Sequence, residues 1–419
     1  MKVKLRLRTR FSLEECLLFI ALFCVSTFAL LEHVSISIPL FSYVKKPVLL
    51  LGGLCLGSQA KMYARTFMKK KYFFVYLSMF AFCGMLLISA LNNQYPRIGK
   101  PAMDSTLRLV VYLLELILLM VWIAETGRGQ FVLAFLFRYV LIMTLATDLL
   151  LFSGLITFGS GRYEYYLVGT KFIVAYFHIN LLALWFINKK EQFYTDRKAK
   201  RIVIFGVPIV AAVSYHVDCM TGILGCCILL LLFIFLNTPI QKKLLHFCSP
   251  KFLCVCLALS VIFPFVVEGI VEIPFIKYLI EEILGRNTTL TGRVDIFNAF
   301  IPIMEGYWLW GYGYGNGNVV SMALFGCANA QNAQLHWVLQ SGILATVMLV
   351  ILMYVIFRQL EKSAAVSQCM PLVLLVYMYI FLGTIEITFS MSFLLWVAVI
   401  FMLTNEKKST VYHKEGGAT

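Results

Sequence analysis

The sequence predicts an all-α, polytopic membrane protein with about twelve spanning helices. Of 419 residues, 61% are hydrophobic and only 14% are charged, too little polar surface to clothe a soluble domain. Continuous apolar runs such as 17–31, 109–123 and 224–236 approach the roughly 20 residues that cross a hydrocarbon core. Backbone amides in lipid must be satisfied within their own segment, which selects helices. A spanning β-barrel would alternate in segments of about ten residues, and these runs are unbroken.

Taken in order, the expected spans are 13–31, 47–62, 73–91, 106–124, 131–155, 171–188, 202–216, 221–237 and 252–272, then 334–357, 371–386 and 389–404. The even number puts both termini on one side. The positive-inside rule tests it, because a missed helix would exchange the sides of every later loop. Of 36 lysines and arginines, 25 fall on the segments this topology makes cytoplasmic and nine outside, with Arg108 and Arg138 inside spans. The chain thus divides into helices 1–9 (1–272), a large extracytoplasmic loop (273–333), helices 10–12 (334–404) and a cytoplasmic tail (405–419). Both termini are expected to be cytoplasmic.

The net charge of +15 is spread over separate short loops. A nucleic-acid surface would concentrate it on one face, so topology and attraction to anionic lipid account for it. The basic start at 1–10 precedes an apolar run without a small-residue cleavage site, which predicts a retained first helix. Twelve cysteines are present, but no disulfide framework or metal-ligand spacing is visible.

The loop at 273–333 holds most of the chemistry. Loops of such length in compact proteins are usually functional. A helix is expected at 294–304, followed by Glu305-Gly306-Tyr307-Trp308-Leu309-Trp310 and by Gly311-Tyr312-Gly313-Tyr314-Gly315-Asn316-Gly317. These glycines lack the Gly-Lys-Ser/Thr ending of a phosphate loop. Trp308 and Tyr312 offer flat faces on which sugar rings can stack, and the structural alternative is an interfacial aromatic belt.

Thr291-Gly292-Arg293 opening a helix, an acidic residue and tryptophan before the Gly-x-Gly-x-Gly turn, Asn332 ahead of a span and Gly342 within it follow one order. Together they resemble the O-antigen ligase and polymerase superfamily. Upstream, Gly169-Thr170-Lys171-Phe172 with Tyr176 and His178 looks like a segment of capsular and exopolysaccharide polymerases of the Wzy type. Gln331 stands where the family carries histidine, Gln340 where it often carries glutamate, and Asp218-Cys219-Met220-Thr221 where ligases carry an arginine.

The resemblance implies polymerisation of polyprenyl-diphosphate-linked oligosaccharide repeats at the outer face of a bacterial cytoplasmic membrane. The products would be capsular, exopolysaccharide or O-antigen chains. The expected partners are the lipid-linked oligosaccharide, the bilayer, and the flippase and chain-length regulator of the same pathway, with no nucleic acid. Such a transfer needs cations for the diphosphate and a group that takes the acceptor's proton. It calls for no cofactor and no metal if arginines supply the charge. Arginine's rigid fork can pair two phosphate oxygens, which nominates Arg293 and then Arg286, whose alternative role is snorkelling at the interface. Lys171 and Arg162 would extend the basic patch.

His336 is the nearest histidine to the loop and is the candidate proton acceptor. On a helix, Asn329, Asn332, His336 and Gln340 share one stripe while Gln331 points away. Asn332, Gln340 and Gln331 are the candidate substrate-binding residues there. Asp295 and Glu305 are further candidate bases. His178, Glu115, Asp148 and Arg138 are expected to pair structurally between helices, since unpaired charges in a span are costly. Twelve spans also suit a flippase or transporter of lipid-linked oligosaccharide, and a ligase with another acceptor is a third reading.

Overall fold

The computed structural model describes residues 12–154, 165–195, 197–235, 245–278, 281–282 and 293–407. Among these the chain is helical, and the pairing of Tyr166 with Gly169 is an isolated bridge. The first ten helices are α1 (Leu13–Leu30), α2 (Val34–Ser37), α3 (Phe41–Gly57), α4 (Ala60–Phe67), α5 (Lys70–Asn92), α6 (Met103–Thr126), α7 (Gly129–Ser153), α8 (Lys171–Thr195), α9 (Arg197–His216) and α10 (Met220–Phe235). After a short 3₁₀ turn come α11 (Pro250–Val271), α12 (Pro274–Tyr278), α13 (Arg293–Ile303), α14 (Gly317–Phe325), α15 (Ala333–Glu361), α16 (Val366–Leu382) and α17 (Met391–Asn405).

Seven of these, α1, α5, α6, α7, α8, α11 and α15, contain stretches long and apolar enough to cross a membrane. The other five expected spans coincide with α3, α9, α10, α16 and α17, helices of 15 to 20 residues. Two boundaries move. The second expected span splits at Ser58-Gln59 into α3 and the separate α4. The eleventh ends at Leu382, which leaves Glu386 in the connector to α17.

Local chemistry explains the starts. Ser12 caps α1 reciprocally with Glu15: its hydroxyl accepts the Glu15 N–H at 3.2 Å and the carboxylate accepts the Ser12 N–H at 3.0 Å, so two otherwise orphan donors are satisfied. Asn332 does the same for α15, accepting the N–H groups of Gln334 and Leu335.

The centre of the bundle is α6 and α17, buried almost all round, as helices without a polar face must be. Trp122 and Tyr112 from α6, and Trp396 and Phe393 from α17, are fully enclosed. Against this centre pack α1, α5, α15 and α16. Charged groups within the bundle follow the pairing rule in part. Asp148 on α7 lies 3.2 Å from His178 on α8. Glu115 on α6 packs against Gly52 and Gly53 of α3, where a Cβ at Gly52 would come within 2.9 Å of its carboxylate. Arg138 is exposed on α7.

The long helix α15 is broken at Gly342, whose φ of 78° and ψ of 173° are closed to side chains. The break is filled by the glycine-rich segment of the preceding loop. The N–H of Ile343 donates to the Trp308 carbonyl at 2.8 Å, and the N–H of Tyr312 donates to the Leu339 carbonyl at 2.8 Å. Contact is backbone to backbone: a Cβ on Gly311 would fall 2.7 Å from the main chain of Gln340, Ser341 and Gly342. Ser89 of α5 and Asn93, which caps its C-terminus, donate to the carbonyls of Trp310 and Gly311, so the segment is held from two sides.

Candidate functional site

At one end of the bundle the C-termini of α1 and α9 and the N-termini of α3, α6, α8, α14, α15 and α17 contribute to the wall of a cavity of about 1530 Å³. Its charged lining comes from helix ends far apart in sequence. Lys45 is on α3, Arg108 on α6 and Lys171 on α8, facing Glu32, Asp218 and Glu386. Lys45 donates to the Glu32 carbonyl at 2.6 Å, Arg108 pairs with Asp104 at 3.0 Å, and Lys171 pairs with Asp218 at 3.0 Å. Each cation is thereby steered without being buried. His33, also on the wall, is held below its ordinary pKa by enclosure, with Glu32 opposing and Lys45 reinforcing that shift.

His336 lies on this wall, one turn into α15 and beside Gln340. Its side chain is 8% exposed, and its Nδ1 has no hydrogen-bond partner within the protein. A buried polar atom left unpaired costs about 1–3 kcal/mol, a cost that a hydrogen-bonding ligand would offset. A glycine at 317 makes room for the ring, since a Cβ there would stand 2.5 Å from its Cε1.

Arg293 opens α13 as expected, but it is not among the described residues that line the cavity. Nε donates to the Ile385 carbonyl at 2.9 Å and one terminal nitrogen meets Glu386 at 2.5 Å. Glu386 itself lines the cavity and is 4% exposed. Lys45, Arg108 and Lys171, rather than Arg293, are the cations that line the cavity, and Arg293 holds the carboxylate of Glu386, which does line it.

The other expectations divide. Lys171, Gln340 and Gln331 line the cavity. Gln340 also uses its carbonyl to accept the Gly315 N–H at 2.9 Å. Gln331 was expected to point away, but α15 starts only at Ala333, so helical angles do not apply before it; Gln331 has φ 54° and reaches the wall. Asn329 is there too, on the loop rather than on the helix.

Asn332 is a correction. It is wholly buried, caps α15 and donates to the carbonyls of Ser260 and Thr384, which leaves no group for substrate. Tyr312 and Trp308 are corrections as well. Tyr312 stacks on Tyr307 at 3.9 Å and donates to the Ile303 carbonyl, and Trp308 packs edge-on against Phe300. Both belong to a small apolar cluster under α13. Other aromatics line the cavity, among them Tyr314 and Trp337, with ring centroids 5.8 Å apart. Arg162 and Arg286 lie outside the described residues.

Sequence reading missed Lys45, Arg108 and Glu386 as site residues. A charge inside a predicted span was the available signal for Arg108, and an acidic residue at the end of one for Glu386. Lys45 carried none. Among the described residues, no group of three or more potential metal ligands is present. Compared with known proteins, the chain matches no family model and no curated protein.

Proposed function

We propose that the protein joins polyprenyl-diphosphate-linked oligosaccharide repeats into a capsular, exopolysaccharide or O-antigen chain at the outer face of a bacterial cytoplasmic membrane. The observation that carries this reading is one large cavity whose wall carries Lys45, Arg108 and Lys171 together with His336 and Glu386. In the transfer, the bond between a sugar's anomeric carbon and the diphosphate oxygen breaks, and an acceptor hydroxyl oxygen takes its place. The diphosphate lipid leaves with the bonding electron pair, and the hydroxyl proton goes to His336 or Glu386. Cations aimed at the leaving diphosphate and a base aimed at the acceptor are the two groups this chemistry requires.

The proposed topology has twelve spans, adding α3, α9, α10, α16 and α17 to the seven long apolar helices, with both termini cytoplasmic and the cavity opening outward. Lys45 and Lys171 then stand on the outer side, where the charge distribution of the sequence also assigns them. The pathway's flippase and chain-length regulator would be neighbours of the protein in this membrane.

One feature favours a flippase or transporter, because such proteins often bind substrate at a broken helix, and α15 is broken at Gly342. That break is occupied by the backbone of 308–312, which takes up the Ile343 amide and the Leu339 carbonyl. Reconstitution with lipid-linked repeats, followed by sizing of the products, tests the proposal. A ladder of multiples is expected. Repeats that cross the vesicle without lengthening would replace it with the flippase, and long polymer stranded on its lipid after deletion of the gene would replace it with the ligase.

A further inference from the structure

A second cavity, of about 440 Å³, is walled by α4, the start of α5, the end of α6 and the segment after α17. Its lining includes Lys61, Arg65, Lys69 and Lys407, with Glu125 as the one carboxylate among the described lining residues. The Glu125 side chain is 6% exposed and fully engaged. One oxygen meets Lys69 and Lys407, each at 2.7 Å, and the other meets Lys71 at 3.1 Å and accepts the Tyr72 hydroxyl at 2.8 Å. A single negative charge thus draws three ammonium groups together, more positive charge than it neutralises. Lys61 and Arg65, both exposed on α4, add two further cations.

The backbone makes the cluster rigid. The Lys407 N–H donates to the Ala124 carbonyl at 2.9 Å, and Glu406 accepts the Gly129 N–H at 2.6 Å. The terminal segment is therefore pinned against the turn between α6 and α7, and Lys407 is fixed beside Glu125. Like charges confined in this way repel unless an anion joins them. Next to the cavity, Phe67, Met68 and Phe74 are exposed, the apolar side chains that sit at the boundary between headgroups and acyl chains.

We propose that this cavity is a binding site for a phosphate group, held by Lys61, Arg65, Lys69 and Lys407 and organised by Glu125. Its occupant is an anionic phospholipid headgroup or a free phosphate. The site does not depend on the polymerase reading.

The test uses the purified full chain in nanodiscs of phosphatidylcholine, alone, with added phosphatidylglycerol, or with inorganic phosphate in the buffer. Thermal unfolding and native mass spectrometry read the binding. Lys61→Gln with Arg65→Gln should weaken it about thirtyfold, at about fivefold for each basic group near a membrane surface, and Lys61→Arg with Arg65→Lys should restore it. Stabilisation by phosphatidylglycerol that follows this pattern supports a lipid occupant, and the same pattern with inorganic phosphate supports a free one. Stabilisation that the double glutamine variant retains, or none with either anion, overturns the site.

Discussion

Arg293 and Glu386, 93 residues apart in the chain, meet at 2.5 Å behind the wall of the large cavity. The arginine side chain is 18% exposed and the glutamate 6%, so neither charge is well solvated. Removing one partner of a buried pair leaves the other uncompensated, typically at about 3–5 kcal/mol. Arg293→Gln and Glu386→Gln should each lower the unfolding midpoint more than half as much as the double variant does. Additive losses in a double-mutant cycle would dissolve the coupling.

For the cations, Lys45→Gln, Arg108→Gln and Lys171→Gln should each slow chain lengthening by about tenfold to a hundredfold, somewhat below the cost of removing a donor from a fully enclosed site. Stability should stay nearly constant for the Arg108 and Lys171 variants, because pairs with solvent-exposed carboxylates contribute about 0–1 kcal/mol. Product sizing in reconstituted vesicles checks the rate and thermal unfolding checks the fold. Normal polymer from all three variants would remove the diphosphate from this wall.

His336 and Asn332 are a matched comparison four residues apart. His336→Gln should cost about a hundredfold or more in lengthening rate, as loss of a proton acceptor does, with little loss of stability because its Nδ1 makes no hydrogen bond in the protein. Asn332→Ala removes a helix cap and should destabilise by about 1–2 kcal/mol. At a temperature where the variant stays folded, it should keep most of the activity. The reverse ranking of rates would exchange their roles.

Gly342→Ala should abolish folding rather than activity alone. The backbone there belongs to a glycine-only region that costs other residues about 1–3 kcal/mol, and the new methyl would also strike the Leu309 carbonyl. Yield of monodisperse protein in mild detergent is the measurement. A well-folded alanine variant would mean that the break in α15 can close.

What the sequence made legible depended on the range of the interactions. Helices such as α6 and α8 follow from runs of apolar residues, a local property, and Asn332 at the head of α15 was visible by its residue type. Its role was not, because nothing local distinguishes a cap from a ligand contact. The same limit explains Trp308 and Tyr312, aromatics among glycines that turned toward α13 instead of the cavity. Lys45, Arg108 and Glu386 meet only because α3, α6 and the connector before α17 end at the same level of the bundle. That coincidence is tertiary. His336 was nominated as the histidine nearest the loop and by its helical spacing from Asn332 and Gln340, and the misreading of Gln331 came from extending α15 two residues before its true start.

The seam at Gly342 ties the 308–312 segment and the long helix into one unit. Four main-chain groups, two from each partner, are exchanged across it, and no side-chain identity is needed to make them. Grafting the 305–317 segment from another such protein should therefore succeed only when the stretch around residue 342 travels with it. Loop and half-helix thus form one transplantable unit, and the loop alone does not.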